Sequence, residues 1–156
     1  MIQLEKMTER DFIDYLSLAI PDYAAEKISA GTWAKEEAQK LSEDSFAELL
    51  PNGVATKDHY LFSIVKSDSS QKVGYLWFRS SEDLNGKAAF IFDFIVFEEF
   101  RSRGYGTQTM LALEETAKKM GIEKIMLHVF AHNKTAFSLY EKMGFNMTDI
   151  SMSKYL

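Results

Sequence analysis

Val96-Phe97-Glu98-Glu99-Phe100-Arg101-Ser102-Arg103-Gly104-Tyr105-Gly106-Thr107 is the stretch whose reading decides the fold. The run leading into it, Ala88 to Phe97, is apolar and aromatic apart from Asp93, which suits a central strand covered on both faces. After Gly104, Met110, Leu113, Ala117 and Met120 share one helical face until Gly121 closes the helix. A buried strand therefore passes through a two-glycine loop into a helix N-terminus. Such a terminus presents unpaired N–H groups at the positive end of the helix dipole. Glycines let the backbone approach a phosphate with no Cβ in the way, and Arg101 and Arg103 add positive charge. The loop suits an anion, although a tight turn with solvated arginines accounts for the same residues. It is not a P-loop, since the Gly-Lys-Ser/Thr ending is missing, and it lacks the third glycine and distal acid of a dinucleotide fingerprint.

Working outward, Ile2 to Lys6 alternates like a short strand. Thr8 with Asp11 marks a helix start, with Phe12, Leu16, Ala19 and Tyr23 as its apolar stripe. Thr32 is a second candidate N-cap, followed by Ala38, Leu41, Ser45 and Leu49 at helical spacing until Pro51-Asn52-Gly53. Tyr60 to Lys66 and Val73 to Ser80 form a hairpin around Ser67 to Lys72, and Asp83-Leu84-Asn85-Gly86 is a second turn. Ile125 to Phe130 reads as a strand and Lys134 to Met143 as a helix. An extended stretch then runs from Gly144-Phe145 to Tyr155. The order βααβββαβα, with one or two closing strands, predicts one α/β (α+β layered) domain over residues 1–156. Its mixed, mostly antiparallel sheet carries helices on both faces.

Composition narrows the function. The chain is 46% hydrophobic and 13% aromatic, as a globular domain is. Without cysteine it has neither a disulfide framework nor a thiol nucleophile. No apolar run reaches membrane-spanning length, and the N-terminus lacks a signal-peptide core; a cytoplasmic protein is expected. A net charge of −5 with scattered lysines and arginines argues against nucleic acid and tolerates a cationic partner.

A second segment, Asn133-Lys134-Thr135-Ala136-Phe137-Ser138-Leu139-Tyr140-Glu141-Lys142-Met143-Gly144-Phe145, follows Leu127-His128-Val129. With it the chain resembles the GNAT superfamily of N-acetyltransferases. Arg101-x-x-Gly104-x-Gly106 resembles the family's pyrophosphate motif. Asn133-x-x-Ala136-x-x-Leu139-Tyr140-x-x-x-Gly144-Phe145 resembles its second coenzyme A motif. The likeness is sharp from about Phe90 to Phe145, and Met152-Ser153-Lys154-Tyr155-Leu156 looks like the last strand of many small members. The resemblance implies transfer of an acetyl group from acetyl-coenzyme A to a primary amine. It implies that Phe94, Ile95 and Val96 hold the pantetheine arm through main-chain bonds. The amides of Ser102, Arg103, Gly104, Tyr105, Gly106 and Thr107 would hold the pyrophosphate. Asn133 would contact the pantetheine region and set the start of the next helix, where it also fits an N-cap, and Ala136 and Tyr140 of that helix would border the coenzyme.

Tyr140 falls on the position that relatives use as general acid. Collapse of the tetrahedral intermediate expels a thiolate, and a phenol keeps its proton at neutral pH for that step. Packing against the coenzyme is its structural alternative. For the base, many relatives carry a glutamate where Phe92 stands here. Three substitutes stay open: His128, with an ordinary pKa suited to neutral pH; Asp93, a lone carboxylate in an apolar run; and water. His128 and His132 are four apart across a strand end and lack a third ligand, so no metal is expected. Tyr23, Glu26 and Trp33, with Glu36 and Glu37 nearby, suit a cationic acceptor; solvated surface charge explains the glutamates equally. Tyr75 to Phe78 fits either a homodimer seam or an inward-facing core strand. A catalytically silent acyl-coenzyme A sensor is the alternative to a working enzyme.

Overall fold

In the computed structural model, which describes all 156 residues, the sheet has five strands in the order β1-β2-β3-β4-β5. These are β1 (Ile2–Lys6), β2 (His59–Lys66), β3 (Lys72–Asp83), β4 (Gly86–Val96) and β5 (Lys124–Leu127). The first four pair antiparallel, and β5 runs parallel to β4. The helices are α1 (Glu9–Ser29), α2 (Lys35–Leu49), α3 (Tyr105–Lys119) and α4 (Lys134–Lys142), with short 3-10 turns at Gly53–Ala55 and Glu98–Phe100.

Local signals start these elements. Thr8 accepts from the Asp11 amide while Asp11 accepts from the Thr8 amide, a capping box worth about 1 kcal/mol. The Asp11 carboxylate also meets Lys72 Nζ at 2.6 Å, which ties the start of α1 to β3. Both hairpins form where the turn residues put them. The second is a two-residue connection, Leu84-Asn85, in which Asp83 accepts from the Asn85 amide at 2.7 Å.

Pleating sorts side chains into two layers. Ile64, Leu76, Phe78, Ala89 and Ile91 face α3, meeting Met110, Leu113 and Ala117, with Tyr140 and Met143 of α4 packed alongside. Leu61, Tyr75 and Trp77 face α1 and α2, meeting Phe12, Tyr15, Ala19 and Phe46. Each fully buried large side chain, such as Leu76, Phe78 or Leu113, contributes roughly 2–3 kcal/mol. Tyr75 to Phe78 is thus buried within the chain's own core.

Four expectations change. The amides of Thr32 and Trp33 both donate to the Lys27 carbonyl, so they finish α1 around Gly31 (φ +73°), and α2 starts at an Ala34 cap instead. The buried stripes are rotated from those read off the sequence. They are Phe12, Tyr15, Ala19 and Ala24 on α1 and Ala38, Ser42 and Phe46 on α2, where the Ser42 hydroxyl donates to the Ile20 carbonyl. β5 ends at Leu127, not Phe130. No strand follows α4: a strand exists only through its ladder, and residues 146–156 find no partner strand in the chain. Their apolar side chains, from Met147 at 67% to Leu156, are exposed.

The shortening of β5 traces to one irregularity. Trp77 pairs with Asp93 and Phe78 with Ile91, so Phe92 has no opposite number on β3. This β-bulge bends β4 where pairing with β5 stops, at the Ile91–Leu127 pair. Beyond it β4 stays close to β3: a Cβ on Gly74 would lie 1.9 Å from the Ile95 carbonyl oxygen. Gly74→Ala is expected to cost about 3 kcal/mol in urea unfolding. A loss under about 0.5 kcal/mol would show that the two strands part easily.

Candidate active site

Past Ile91, β4 has β3 on one side and no strand on the other. The Phe97 amide donates to the Val73 carbonyl. By the alternation of antiparallel ladders, Asp93 and Ile95 turn their main-chain groups toward β3, while Phe94 and Val96 turn theirs to the open edge. Of the three residues expected to offer main-chain bonds there, Ile95 is therefore committed to the sheet. The Val96 carbonyl accepts from Arg101 Nε at 2.9 Å, so Arg101 braces the loop against the strand.

At the head of this edge the chain turns into α3. Ser102 (φ +61°) and Gly104 (φ +82°) take left-handed conformations, and Gly104 caps the helix without a side-chain bond. The six successive amides of Ser102, Arg103, Gly104, Tyr105, Gly106 and Thr107 donate to no acceptor in the protein. Six free N–H groups at a helix start form an anion cradle. Gly106 lets α3 pack close to α4, since a Cβ there would lie 3.0 Å from the Leu139 side chain. Arg103 sets its guanidinium over the Phe100 ring.

The bulge also decides what lies below. Ile91 and Phe94 pack toward α3, whereas Phe92 and Ile95 pack toward α1 and α2. Asp93 shares the α1 side with Phe92, because the extra residue breaks strict alternation. Its carboxylate accepts a 2.6 Å hydrogen bond from the hydroxyl of Tyr15, a fully buried residue of α1. Burial is the main reason that its pKa rises from 3.8 to about 6. Glu26 and Asp22 push it further, while the Tyr15 hydroxyl and the Phe94 amide oppose the rise. Tyr140, on α4, is pushed up to about 12, first by burial and then by the charge of Asp93. One proton-accepting and one proton-retaining group therefore sit within electrostatic reach of each other beside the open edge.

The other expected residues fall in two sets. Asn133 caps α4 by accepting from the Ala136 amide at 3.3 Å. Glu26 comes to the site: burial and the Asp22 charge raise its pKa, and His132 opposes. Tyr23 and Trp33 instead pack edge-to-face at 5.4 Å, with the Lys27 ammonium over both rings, and Glu36 and Glu37 are exposed. His128 is exposed one residue beyond β5, edge-on to Phe130, whose other neighbour is the stacked His132 ring. No three His, Asp or Glu side chains gather where they would hold a metal ion. No helix is long and apolar enough to cross a membrane. Tyr15 and Asp22 were not singled out from the sequence. The lone Asp93 in an apolar run was a signal that a buried partner was needed.

A mixed sheet that parts between β4 and β5, with six free amides at the head of the gap, suits an extended ligand that carries an anionic group. The acetyltransferase (GNAT) family model matches residues 22–145, and the chain belongs to that family. It is 45% identical to the uncharacterized N-acetyltransferase YycN of Bacillus subtilis (strain 168) over 155 residues, 99% of each chain. It is 39% identical to YdgE of the same organism, also described as an uncharacterized N-acetyltransferase, over 98% of this chain and 97% of that one. The crystal structure of YycN superposes with a TM-score of 0.93, covering 100% of this chain and 99% of the other.

The raised pKa of Asp93 has a stability signature that requires no substrate. The folded state binds this proton more tightly than the unfolded chain, so the contribution to stability is fully present below pH 3.8. It is lost as pH rises through about 6. Asp93→Asn removes the burden, so its stability relative to wild type should improve by about 2 kcal/mol between pH 4 and pH 7.5. Denaturant unfolding at the two pH values measures this, and an equal difference at both would place Asp93 in a solvated setting.

Proposed function

We propose that this protein transfers the acetyl group of acetyl-coenzyme A to a primary amine by direct attack in a ternary complex, with Asp93 as proton acceptor and Tyr140 as proton donor. The observation that carries the reading is that the free-edged half of β4 leads from Asp93, whose charge reaches Tyr140, to the six unpaired amides at the start of α3. The residues fit the coenzyme. An open strand edge matches the amide-rich pantetheine arm, and the cradle from Ser102 to Thr107 matches a diphosphate. When bound, acetyl-coenzyme A supplies an activated acetyl group and a sulfur leaving group.

The remaining work falls to the chain's own residues. Asp93 takes the proton that an ammonium must lose before its nitrogen has a lone pair. With a pKa of about 6 it is ionised at neutral pH yet far more basic than an ordinary carboxylate. Its burial and its pairing with Tyr15 favour it over the exposed His128. Tyr140, with a pKa near 12, keeps its phenolic proton at every working pH and offers it to the departing sulfur. Asp22 and Glu26, on the α1 side of Asp93, favour a cationic acceptor.

Thiol release from acetyl-coenzyme A across a panel of amines tests the activity. On the best amine, Tyr140→Phe should lower kcat on the order of a hundredfold. A kcat within about threefold of wild type would remove the proton-donor role, and binding without turnover on every amine would support an acyl-coenzyme A sensor instead.

A further inference from the structure

The hydroxyl of Tyr15 is sealed in the core. The residue is 0% exposed, and its ring is held edge-on by Phe46 at 6.3 Å and by Tyr75 at 5.3 Å. A phenol so buried needs a partner, and its hydroxyl is given to Asp93 Oδ2 at 2.6 Å. The bond links α1 to β4 across 78 residues of sequence, at the bulge. Aromatic rings pack edge-on against the Tyr15 ring from α2 and β3, and Asp93 directly follows the bulged residue of β4.

We propose that Tyr15 is a positioning residue for the transfer reaction: its hydroxyl fixes the orientation of the Asp93 carboxylate and favours the ionised form that accepts the amine proton. The inference rests on the reading of Asp93 as proton acceptor and adds a residue that acts through it. Electrostatics shows why the hydroxyl matters. The groups facing Asp93 are Asp22 and Glu26 from α1, whose charges disfavour its ionisation, and Tyr140 from α4, itself held protonated. No cation faces Asp93, so the Tyr15 hydroxyl is the side-chain group that opposes protonation. A purely structural role is a poor account of the pair. A buried carboxylate without a cation costs stability, and a well-packed apolar pair would fill the same space without that cost.

The test combines two readouts. Carboxyl-carbon NMR of the whole protein, labelled at aspartate, follows Asp93, with Asp93→Asn identifying its resonance. The pH profile of kcat on the best panel amine follows the reaction. Tyr15→Phe, which keeps the ring in place, should move the Asp93 midpoint up by about one to two pH units and carry the acidic limb of kcat up with it. A packing defect alone would lower kcat evenly across pH. If the midpoint stays within about 0.3 unit of wild type, the positioning role is overturned. If the midpoint moves while the limb stays in place, Asp93 is not the proton acceptor, and the reading beneath the proposal falls with it. Should Tyr15→Phe fail to fold, 3,5-difluorotyrosine at position 15, a stronger donor, should move both readouts downward. An unmoved midpoint there overturns the proposal equally.

Discussion

One unpaired residue in the central strand, Phe92, organises the working half of this molecule. Because it opposes nothing on β3, β4 bends there and its pairing with β5 ends at Ile91. The same extra residue turns Asp93 to the side of the sheet where α1 crosses, while Phe94 and Val96 keep their main-chain groups on the freed edge. Splitting the sheet, placing a carboxylate beside the split and exposing backbone donors and acceptors are therefore one geometric event. Gly74 permits it by letting β3 stay close to the bent strand.

The two helices flanking the split meet Asp93 with different chemistry. From α1 come a buried hydroxyl that stabilises its charge and two carboxylates that oppose it. From α4 comes a phenol whose own ionisation Asp93 suppresses. The result is a carboxylate poised near pH 6, which suits the proton-accepting role proposed for it. Such a poise strains the fold, and the two apolar layers on either side of the sheet offset it.

Much of the segment proposed to hold the coenzyme could be read along the chain because its signals are local. The run from Val96 to Thr107 states strand, loop and helix in order, and the free amides of Ser102 to Thr107 follow from the backbone conformation that its glycines allow. Tyr140 and Asn133 came from the resemblance of their segment to a coenzyme A motif of the family. The acceptor half was less legible. Tyr23 and Trp33 look like a cation site in the sequence, yet they pack on each other under Lys27. Glu26, one turn away, instead lies near enough for its charge to raise the pKa of Asp93. Helical rotation separates these outcomes, and the apolar stripe of α1 was misplaced by the width of Tyr15. The closing strand failed for a different reason: it rested on the likeness of the last residues to the final strand of relatives, and no ladder joins residues 146–156 to the sheet.

The sequence by itself determined the layered α/β fold, the order of its elements through α4 and the glycine loop that opens α3, because each depends on short-range periodicity, glycine placement and helix termini; the family followed from the resemblance of two motifs. Only the tertiary structure decided where β4 and β5 part, that Tyr15 of α1 reaches Asp93, and how far that carboxylate's pKa is raised. Those outcomes depend on a bulge measured against a partner strand and on burial between elements distant in the chain, and neither distance nor dielectric is written in the local pattern of residues.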